Sequence, residues 1–493
     1  MTQRARFWSA WRASRGWVTG AAVTLSAVLA ALAIATPARS ATLPGPASFT
    51  AGFVDDYLFQ SPDSTLRSTW MARAHRLGAT SIRIDAAWSQ IAPSVLPPGF
   101  NGSNPGDPSY RWSNLDAELR TAAAAGETVV LQLSHAPTWA EGPNRPANLQ
   151  FYGVWRPNAQ AFGAFAHAAA VRYSGHFRDP LAPGKMLPRV TTFQAWNEPN
   201  LPSALDPQWS VGPHGTFLPA SPGIYRGMLN AFYAGVKSAQ PHAYVLAAGT
   251  APYGDPPGVN RMAPVVFDRE MFCLTPRLRP KSCPDPPHLD ALDHHPYGLS
   301  PTVHAVLAND VSLPDIGKLW RILHAAQRYH RVLPAGPKTI WISEVAWGTN
   351  PPDPMSGSAA LQARYLALAF YESWIQGVSH VYWFLLRDAV APLESFTGDG
   401  LYYKDGVAKP AAQAFRFPFV AINAPHRKLT IWGKAPAAGS VTIDRRVGRR
   451  WKQVLRLRTT AGGVFYTRRS LGRSPVLRAR MGALTSPAWA TAG

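Results

Sequence analysis

Short apolar runs and amphipathic stretches alternate along most of this 493-residue chain. Eight runs rich in branched and aromatic residues predict β-strands, at residues 48–54, 81–85, 128–133, 191–196, 243–249, 289–294, 339–344 and 380–385. Stretches with helical spacing lie between them, most clearly at residues 65–77, 115–125, 158–173, 225–239, 316–329 and 359–375. Eight units of strand then helix predict an α/β fold, a (β/α)8 TIM barrel with enlarged loops.

The pattern changes after residue 424, where short β-patterned runs replace the alternation of strands and helices. Residues 455–458, Leu-Arg-Leu-Arg, alternate apolar and basic side chains, as a half-buried strand does. Similar runs cover residues 429–432, 441–443, 451–457, 463–466 and 476–480. We therefore predict a barrel domain over residues 41–424 and a small antiparallel β-sandwich over residues 425–493.

The first 40 residues have the features of an export signal. Four arginines precede residue 16, an apolar run covers residues 18–35, and Ala38 and Ser40 place small residues where a signal peptidase cuts. We predict a signal peptide over residues 1–40 and a protein that is secreted or associated with the cell envelope. The alternative is an uncleaved membrane anchor, because the apolar run is near the minimum length that spans a bilayer.

The chain has two cysteines, Cys273 and Cys283, in a proline-rich segment. An exported protein meets an oxidising compartment, so we predict a disulfide between them that pins one loop after the fifth strand. A zinc site would need clustered histidines as further ligands, and none accompany these cysteines in the sequence.

The charge of the chain, formally +21, is concentrated near its C-terminus. Residues 425–493 contain fifteen Lys and Arg and one acid, Asp444. A basic β-module can bind nucleic acid, but no nucleic-acid motif is present and an exported chain rarely meets that partner. We expect either an anionic polymer of the cell envelope as a partner or arginines that only solvate a small domain.

Two glutamates end apolar, strand-like runs: Glu198 within Asn197-Glu198-Pro199, and Glu344 within residues 339–347. In a parallel barrel such ends meet at the carboxyl-terminal mouth, where catalytic groups lie. Other polar and aromatic residues fall at or just after predicted strand ends: Arg83, Asp85, His135, Trp139, His295, Tyr297, Trp347 and Trp383. Two carboxylates, donors to sugar hydroxyls and flat aromatic faces together favour glycoside hydrolysis.

This set of residues resembles that of the clan A glycoside hydrolases, particularly family 5 and the similar family 39, over residues 48–420. The resemblance implies a retaining enzyme with Glu198 as acid/base and Glu344 as nucleophile. It also implies contacts with the sugar from residues that match the family 5 pattern: Arg83, His135, His295, Tyr297 and Trp383. The expected function is hydrolysis of O-glycosidic, β-linked bonds in a polysaccharide or oligosaccharide, without a cofactor or metal.

The mechanism requires two chemically identical groups to differ in protonation. Glu198 must hold a proton near neutral pH, so we expect burial and the neighbouring carboxylate to raise its pKa. Glu344 must stay ionised, with Arg83 and Tyr297 stabilising its charge. Asn197 is placed to bond the sugar 2-hydroxyl.

Several of these residues also have structural interpretations. The Asn-Glu-Pro segment is a possible helix cap, and Arg83 with Asp85 is a possible structural ion pair at the mouth as well as a pair of substrate contacts. Four further side chains could belong to the core rather than the pocket: His135, His295, Trp139 and Trp347.

Two other classes of function compete with a glycosidase. A barrel of this kind could bind a glycan, or an envelope polymer, without cleaving it, although the presence of both glutamates weighs against that interpretation. A metal-dependent hydrolase would need a first shell of His and Asp ligands, and Asp293, His294 and His295 form the one local cluster in the sequence.

Overall fold

The computed structural model describes residues 45–283, 285–390, 398–472 and 475–491. The predicted signal peptide, residues 1–40, lies outside the described residues. Within the described ranges, no helix has both the length and the apolar character that crossing a membrane requires.

Eight parallel strands close into a barrel in which each strand lies beside its neighbours in the sequence. They are β1 (Thr50–Val54), β2 (Ser81–Ala87), β3 (Thr128–Ser134), β4 (Thr192–Ala195), β5 (Tyr244–Thr250), β6 (Ala291–His294), β7 (Thr339–Val345) and β8 (His380–Phe384). β1 pairs with both β8 and β2, which closes the circle. Every predicted barrel strand is present with its ends displaced by two residues or fewer, so the (β/α)8 fold is confirmed.

Helices connect the strands around the outside of the barrel. They are α1 (Asp56–Phe59), α2 (Ser64–Arg76), α3 (Trp88–Ile91), α4 (Ser113–Ala124), α5 (Ala159–Arg172), α6 (Ser221–Ala239), α7 (Pro264–Met271), α8 (Gly317–Arg328), α9 (Ala359–Ile375) and α10 (Pro410–Arg416). All six predicted helices are among them. The four that were not predicted, α1, α3, α7 and α10, have eight residues or fewer, which is too short to display a helical period.

Helix α9 illustrates how the sequence fixes these elements. The Ser358 hydroxyl accepts a hydrogen bond from the Leu361 amide and so caps the first turn. Leu366, Phe370 and Trp374 follow at intervals of four residues and bury one face of the helix.

The interior of the barrel changes from apolar to polar along its axis. One layer consists of five buried side chains from alternating positions: Val130, Leu246, Ala291, Trp341 and Tyr382. Two residues further toward the carboxyl ends of β6 and β7 come Asp293 and Ser343, both fully buried. The apolar layer is therefore the floor on which the polar residues of the mouth rest.

Antiparallel sheets follow the barrel, as the sequence predicted. A three-stranded sheet contains β9 (Phe419–Ala424), β10 (Lys428–Lys434) and β13 (Val464–Arg469). A larger sheet contains β11 (Ser440–Val447), β12 (Arg450–Arg458), β14 (Val476–Met481), β15 (Leu484–Thr485) and β16 (Trp489–Ala490). Strand β9 was not predicted, and the predicted domain boundary at residues 424 and 425 falls in the turn between β9 and β10.

The C-terminal sheets pack against the barrel through aromatic residues. The ring of Trp432 on β10 lies 5.9 Å from that of Trp374 on α9 and 6.0 Å from that of Phe49, which precedes β1.

In the loop after α7, Cys273 and Cys283 form a disulfide, which confirms the predicted bond.

Candidate active site

The carboxyl-terminal ends of the barrel strands bring the predicted site residues to one mouth. Arg83 lies on β2, Glu198 follows β4, His295 and Tyr297 follow β6, and Glu344 lies on β7. All five side chains are buried and joined by direct hydrogen bonds, so residues up to 261 positions apart form one cluster.

The two glutamates lie close together at the centre of this cluster. One oxygen of Glu198, one oxygen of Glu344 and one ring nitrogen of His295 all lie within 4.8 Å of one another. The carboxyl groups of retaining glycosidases are about 5 to 5.5 Å apart, whereas inverting enzymes separate them by about 6.5 to 9.5 Å to admit a water molecule. The spacing here is of the shorter kind.

Both oxygens of Glu344 have a donor. Arg83 Nη2 donates to Oε1 at 2.7 Å, and the Tyr297 hydroxyl donates to Oε2 at 2.9 Å. One donor is a buried guanidinium, so one of the two hydrogen bonds is also an ion pair and the carboxylate is held at both oxygens. The predicted contacts of Glu344 with Arg83 and Tyr297 are thus present.

Glu198 lies against a histidine. His295 Nδ1 is 3.0 Å from Glu198 Oε1. Burial raises the pKa of Glu198, and the charge of Glu344 adds to that effect, whereas the hydrogen bond and charge of His295 and the charge of Arg83 oppose it. The net direction is upward, as expected for a group that must carry a proton.

The surroundings of His295 favour its protonated form. Burial alone would lower the pKa of His295, but the charge of Glu344 and contacts with Asp293 and Glu198 outweigh it and raise the pKa to about 10. Protonated at both ring nitrogens, the imidazolium donates to Glu198 through Nδ1 and to the Ser343 hydroxyl, 2.9 Å away, through Nε2.

Asp293 and Ser343 complete this arrangement, although the sequence singled out Asp293 only for the alternative metal site and did not single out Ser343. Ser343 Oγ donates to Asp293 Oδ2 at 2.5 Å and accepts from Arg83 Nη1 at 2.8 Å. The Ser343 amide donates to Asp293 Oδ1 at 2.9 Å, and Gln194 Nε2 donates to Oδ2 at 3.0 Å. Both residues lie inside predicted strands. The alternation of side chains along a strand, which turns these two into the barrel, was the one feature of the sequence that could have identified them.

Gly249 on β5 permits this close packing. A Cβ atom there would lie 2.8 Å from Gln194 Nε2, 3.0 Å from Asp293 Oδ2 and 3.1 Å from His295 Nε2. The residue also has a φ of 61°, in the left-handed region that favours glycine. A side chain at this position would separate the residues that hold His295.

The segment around Glu198 has an unusual backbone. Trp196 has a φ of 71° and Glu198 a φ of 44°, values that non-glycine residues rarely adopt and that cost of order 1 to 3 kcal/mol each. Residues 196–208 contain no helix, so the Asn-Glu-Pro segment is not a helix cap. Its strained conformation instead turns Glu198 into the cluster.

Arg83 also binds the neighbouring polar residues that the sequence singled out. It forms a two-pronged ion pair with Asp85 at 2.6 and 2.7 Å, as the structural interpretation predicted. Its Nη2 donates to Asn197 Oδ1 at 3.0 Å. This contact places Asn197 beside Glu344, which the same Arg83 nitrogen also binds.

The predicted aromatic residues occupy different depths. Trp383 is fully buried and donates to the Asp399 carbonyl, and its ring lies 6.1 Å from that of Trp347. Trp347 donates to the carbonyl of Gly298, just after Tyr297. The two remaining predicted residues lie in the loop after β3: His135 stacks near Trp196, and Trp139 packs against Trp88 and Phe100.

The cluster also contains groups that can ligate a metal ion. In the described part of the chain, Glu198, His295 and Glu344 place three ligand atoms close enough to share one ion. The sequence pointed instead to Asp293, His294 and His295. His294 does not join the site, because its ring bonds the Thr250 hydroxyl and the Val311 carbonyl and burial lowers its pKa to about 4.

No protein-family model and no curated protein sequence matches this chain, but several solved structures are similar to it. A family 39 glycoside hydrolase from Bacteroides cellulosilyticus is 16% identical, with a TM-score of 0.48 over 86% of this chain and 81% of its own. A monomeric beta-xylosidase from Caulobacter crescentus is 13% identical, with a TM-score of 0.48 over 87% and 96%. A GH5_18 protein from Bifidobacterium longum is 13% identical, with a TM-score of 0.45 over 75% and 77%. Likeness of this degree shows a shared fold and transfers no function.

Proposed function

We propose that this chain is a retaining O-glycosyl hydrolase that cleaves β-glycosidic bonds by double displacement. The observation that carries the proposal is the spacing of the two buried carboxylates, an oxygen from each lying within 4.8 Å. That spacing suits direct attack on the anomeric carbon by one glutamate while the other serves the leaving group. The different surroundings of the two glutamates assign their roles.

In the first step, Glu198 gives its proton to the leaving oxygen and Glu344 attacks the anomeric carbon. The pKa of Glu198 is raised by burial, which suits a proton donor near neutral pH. Arg83 and Tyr297 hold the two oxygens of Glu344, which orients the carboxylate for attack. A glycosyl ester on Glu344 and a free alcohol result.

In the second step, Glu198 takes a proton from water, which attacks the anomeric carbon and releases Glu344. Glu198 is then a carboxylate, and the His295 cation at 3.0 Å stabilises that form. The histidine therefore lowers the free energy of the state that the first step creates. Two inversions at one carbon give net retention.

Products formed in azide distinguish the two glutamates. We expect Glu344→Gly to lose most of its hydrolysis of 4-nitrophenyl β-glycosides and to form the α-glycosyl azide, because azide occupies the place of the nucleophile. Glu198→Ala should instead form the β-glycosyl azide, because azide then attacks the glycosyl ester. Both anomers are identified by proton NMR.

Glu127→Gln is the matched control, since Glu127 is a buried glutamate that precedes β3 at the opposite end of the barrel. It should hydrolyse the same substrates at the wild-type rate. Hydrolysis with inverted configuration would contradict the double displacement. Sugar binding without cleavage by the wild type would favour a glycan-binding barrel instead.

We also propose that the protein is exported and that its C-terminal sheet binds an anionic envelope polymer. The proposal of export rests on residues 1–40, and sequencing of the mature N-terminus should find Ala41 first.

The proposal of binding rests on one face of the larger sheet, where register and strand alternation place five arginines: Arg446, Arg456, Arg458, Arg478 and Arg480. Asp444 accepts hydrogen bonds from two of them, at 3.1 and 3.3 Å, so most of the positive charge is uncompensated.

A further inference from the structure

Exposed apolar side chains are concentrated at the mouth of the barrel. In the described residues before α10, sixteen large hydrophobic residues are exposed, and fourteen of them lie in loops that follow barrel strands. The other two, Leu181 and Met186, lie in the loop before β4 at the opposite end. Such a bias toward the functional end indicates a binding surface rather than scattered exposure.

Eight of these side chains form what we call the apolar rim. They lie in the loops after β4, β5 and β6 and are Val211, Phe217, Leu218, Val259, Leu299, Val303, Val306 and Leu307. Leu299 is 74% exposed and Val306 is 91% exposed. Both side chains are therefore largely open to solvent.

The three loops of the rim are in contact with one another. Val211 pairs with Phe217 across a short hairpin after β4, and the Phe217 ring lies so close to Gly258, in the loop after β5, that a Cβ there would clash at 2.3 Å. The loop after β5 is in turn bonded to the loop after β6, since the Val311 amide donates to the Pro252 carbonyl at 2.9 Å. The three loops that carry the rim are therefore joined to one another.

Two loops of the rim also carry residues of the catalytic cluster. Glu198 and the hairpin belong to the same loop, and Leu299 comes two residues after Tyr297. Trp347 Nε1 bonds the carbonyl of Gly298 between them at 2.8 Å. Because Glu198 protonates the leaving oxygen in the proposed function, whatever is attached to that oxygen lies toward the loop that carries Glu198.

The chemistry of the rim differs from that of a sugar-binding surface. Sugar rings are bound by flat aromatic faces and hydrogen-bond donors, whereas seven of the eight rim residues are branched aliphatic side chains. Contact between exposed aliphatic side chains and a hydrocarbon chain is favourable, because it removes apolar surface from water. We propose that the rim binds a hydrocarbon chain in the leaving group, so that the substrate is a glycoside of a long alkyl or acyl-bearing alcohol. This inference rests on the proposed glycosidase function.

The test compares methyl and n-octyl β-glycosides of glucose, mannose and xylose, with the octyl compounds below their micelle-forming concentrations. 4-Nitrophenyl β-glycosides of the same sugars report hydrolysis independently of any alkyl chain. For the sugar that is cleaved, we expect the KM of the octyl glycoside to be about tenfold lower than that of the methyl glycoside.

The double variant Leu299→Ser/Val306→Ser should remove this preference and leave the KM of the methyl glycoside unchanged. Leu181→Ser is the matched control, because Leu181 is also 74% exposed but lies at the opposite end of the barrel. It should keep the wild-type preference. Both changes are at the surface, where stability is little affected.

Equal KM values for methyl and octyl glycosides would overturn the inference and leave the glycosidase intact. An octyl preference that survives the double variant would also overturn it, and a change in sedimentation of that variant would identify the rim as an interface between copies of this chain. Failure of the wild type to cleave any nitrophenyl glycoside would refute the glycosidase function itself, and the inference with it.

Discussion

The hydroxyl of Tyr297 offers the most direct test of how Glu344 is held. Tyr297→Phe removes one oxygen atom and keeps the ring, so the packing of a side chain that is only 2% exposed is preserved. The Glu344 oxygen Oε2 then loses a donor at 2.9 Å, while Oε1 keeps Arg83 at 2.7 Å. The carboxylate becomes free to rotate about its remaining contact.

The size of the effect follows from the charge and burial of this contact. A hydrogen bond to a charged group contributes about 1.5 to 3 kcal/mol, and Glu344 is 1% exposed, so water does not readily replace the donor. If orientation for attack depends on the bond, kcat/KM should fall by about 10- to 150-fold. The melting temperature should also fall, because a buried acceptor has lost its partner.

Tyr382→Phe separates these two effects. Tyr382 is 1% exposed, and its hydroxyl bonds the Ser81 hydroxyl at 2.8 Å in the apolar floor of the barrel. This control should lower the melting temperature but leave kcat/KM on a 4-nitrophenyl glycoside within about twofold of wild type. Unchanged or faster hydrolysis by Tyr297→Phe would refute the orienting role of the hydroxyl.

Three further predictions test other parts of the molecule. His295→Gln removes a contact that lowers the pKa of Glu198, so the pKa of Glu198 should rise. The basic limb of the kcat/KM profile should then move to higher pH. A basic limb that does not move would contradict the effect of His295 on Glu198. Asp268 is fully buried, has no hydrogen bond to its carboxyl oxygens from described residues, and burial raises its pKa well above its usual value. The folded state therefore keeps a proton that the unfolded chain loses as pH rises, so Asp268→Asn should raise the melting temperature more at pH 8 than at pH 4, and an equal change at both would oppose this account. Arg456→Gln/Arg480→Gln should weaken binding to dextran sulfate about fivefold at low salt, with little difference in 0.5 M NaCl; equal binding at low salt would exclude this face.

The barrel was predictable because its strands and helices are long and regularly spaced. The eight apolar runs needed no tertiary information, and neither did helix α9, whose cap and four-residue spacing are local. Strand β9 was not predicted. It follows the barrel helix α10 directly in the sequence, but it pairs with the C-terminal sheet and not with the barrel. Its pairing with β10 depends on a turn that lacks the Asn-Gly pair typical of tight hairpins.

The site was predictable only where side chains fall at strand ends. Glu198 and Glu344 stood out because each follows an apolar run, whereas Asp293 and Ser343 lie within strands and are distinguished from ordinary core positions by their inward direction alone. The apolar rim was missed for a related reason. Its residues are spread over three loops from 211 to 307, and they become a single surface only when the loops touch.

The proposed mechanism gives two glutamates in one pocket opposite roles, and their surroundings differ accordingly. Glu344 has a donor on each oxygen, and one of them is Arg83, whose own charge is anchored by the ion pair with Asp85. Glu198 receives one donor, from His295, and burial acts against its charge. Burial lowers the pKa of His295, but the charge of Glu344 and contacts with Asp293 and Glu198 outweigh it, and Asp293 is itself held by Ser343 and Gln194. The proposed difference between acid and nucleophile therefore depends on the residues around the two glutamates, and a substitution at Asp293 should alter the pH dependence of catalysis through Glu198.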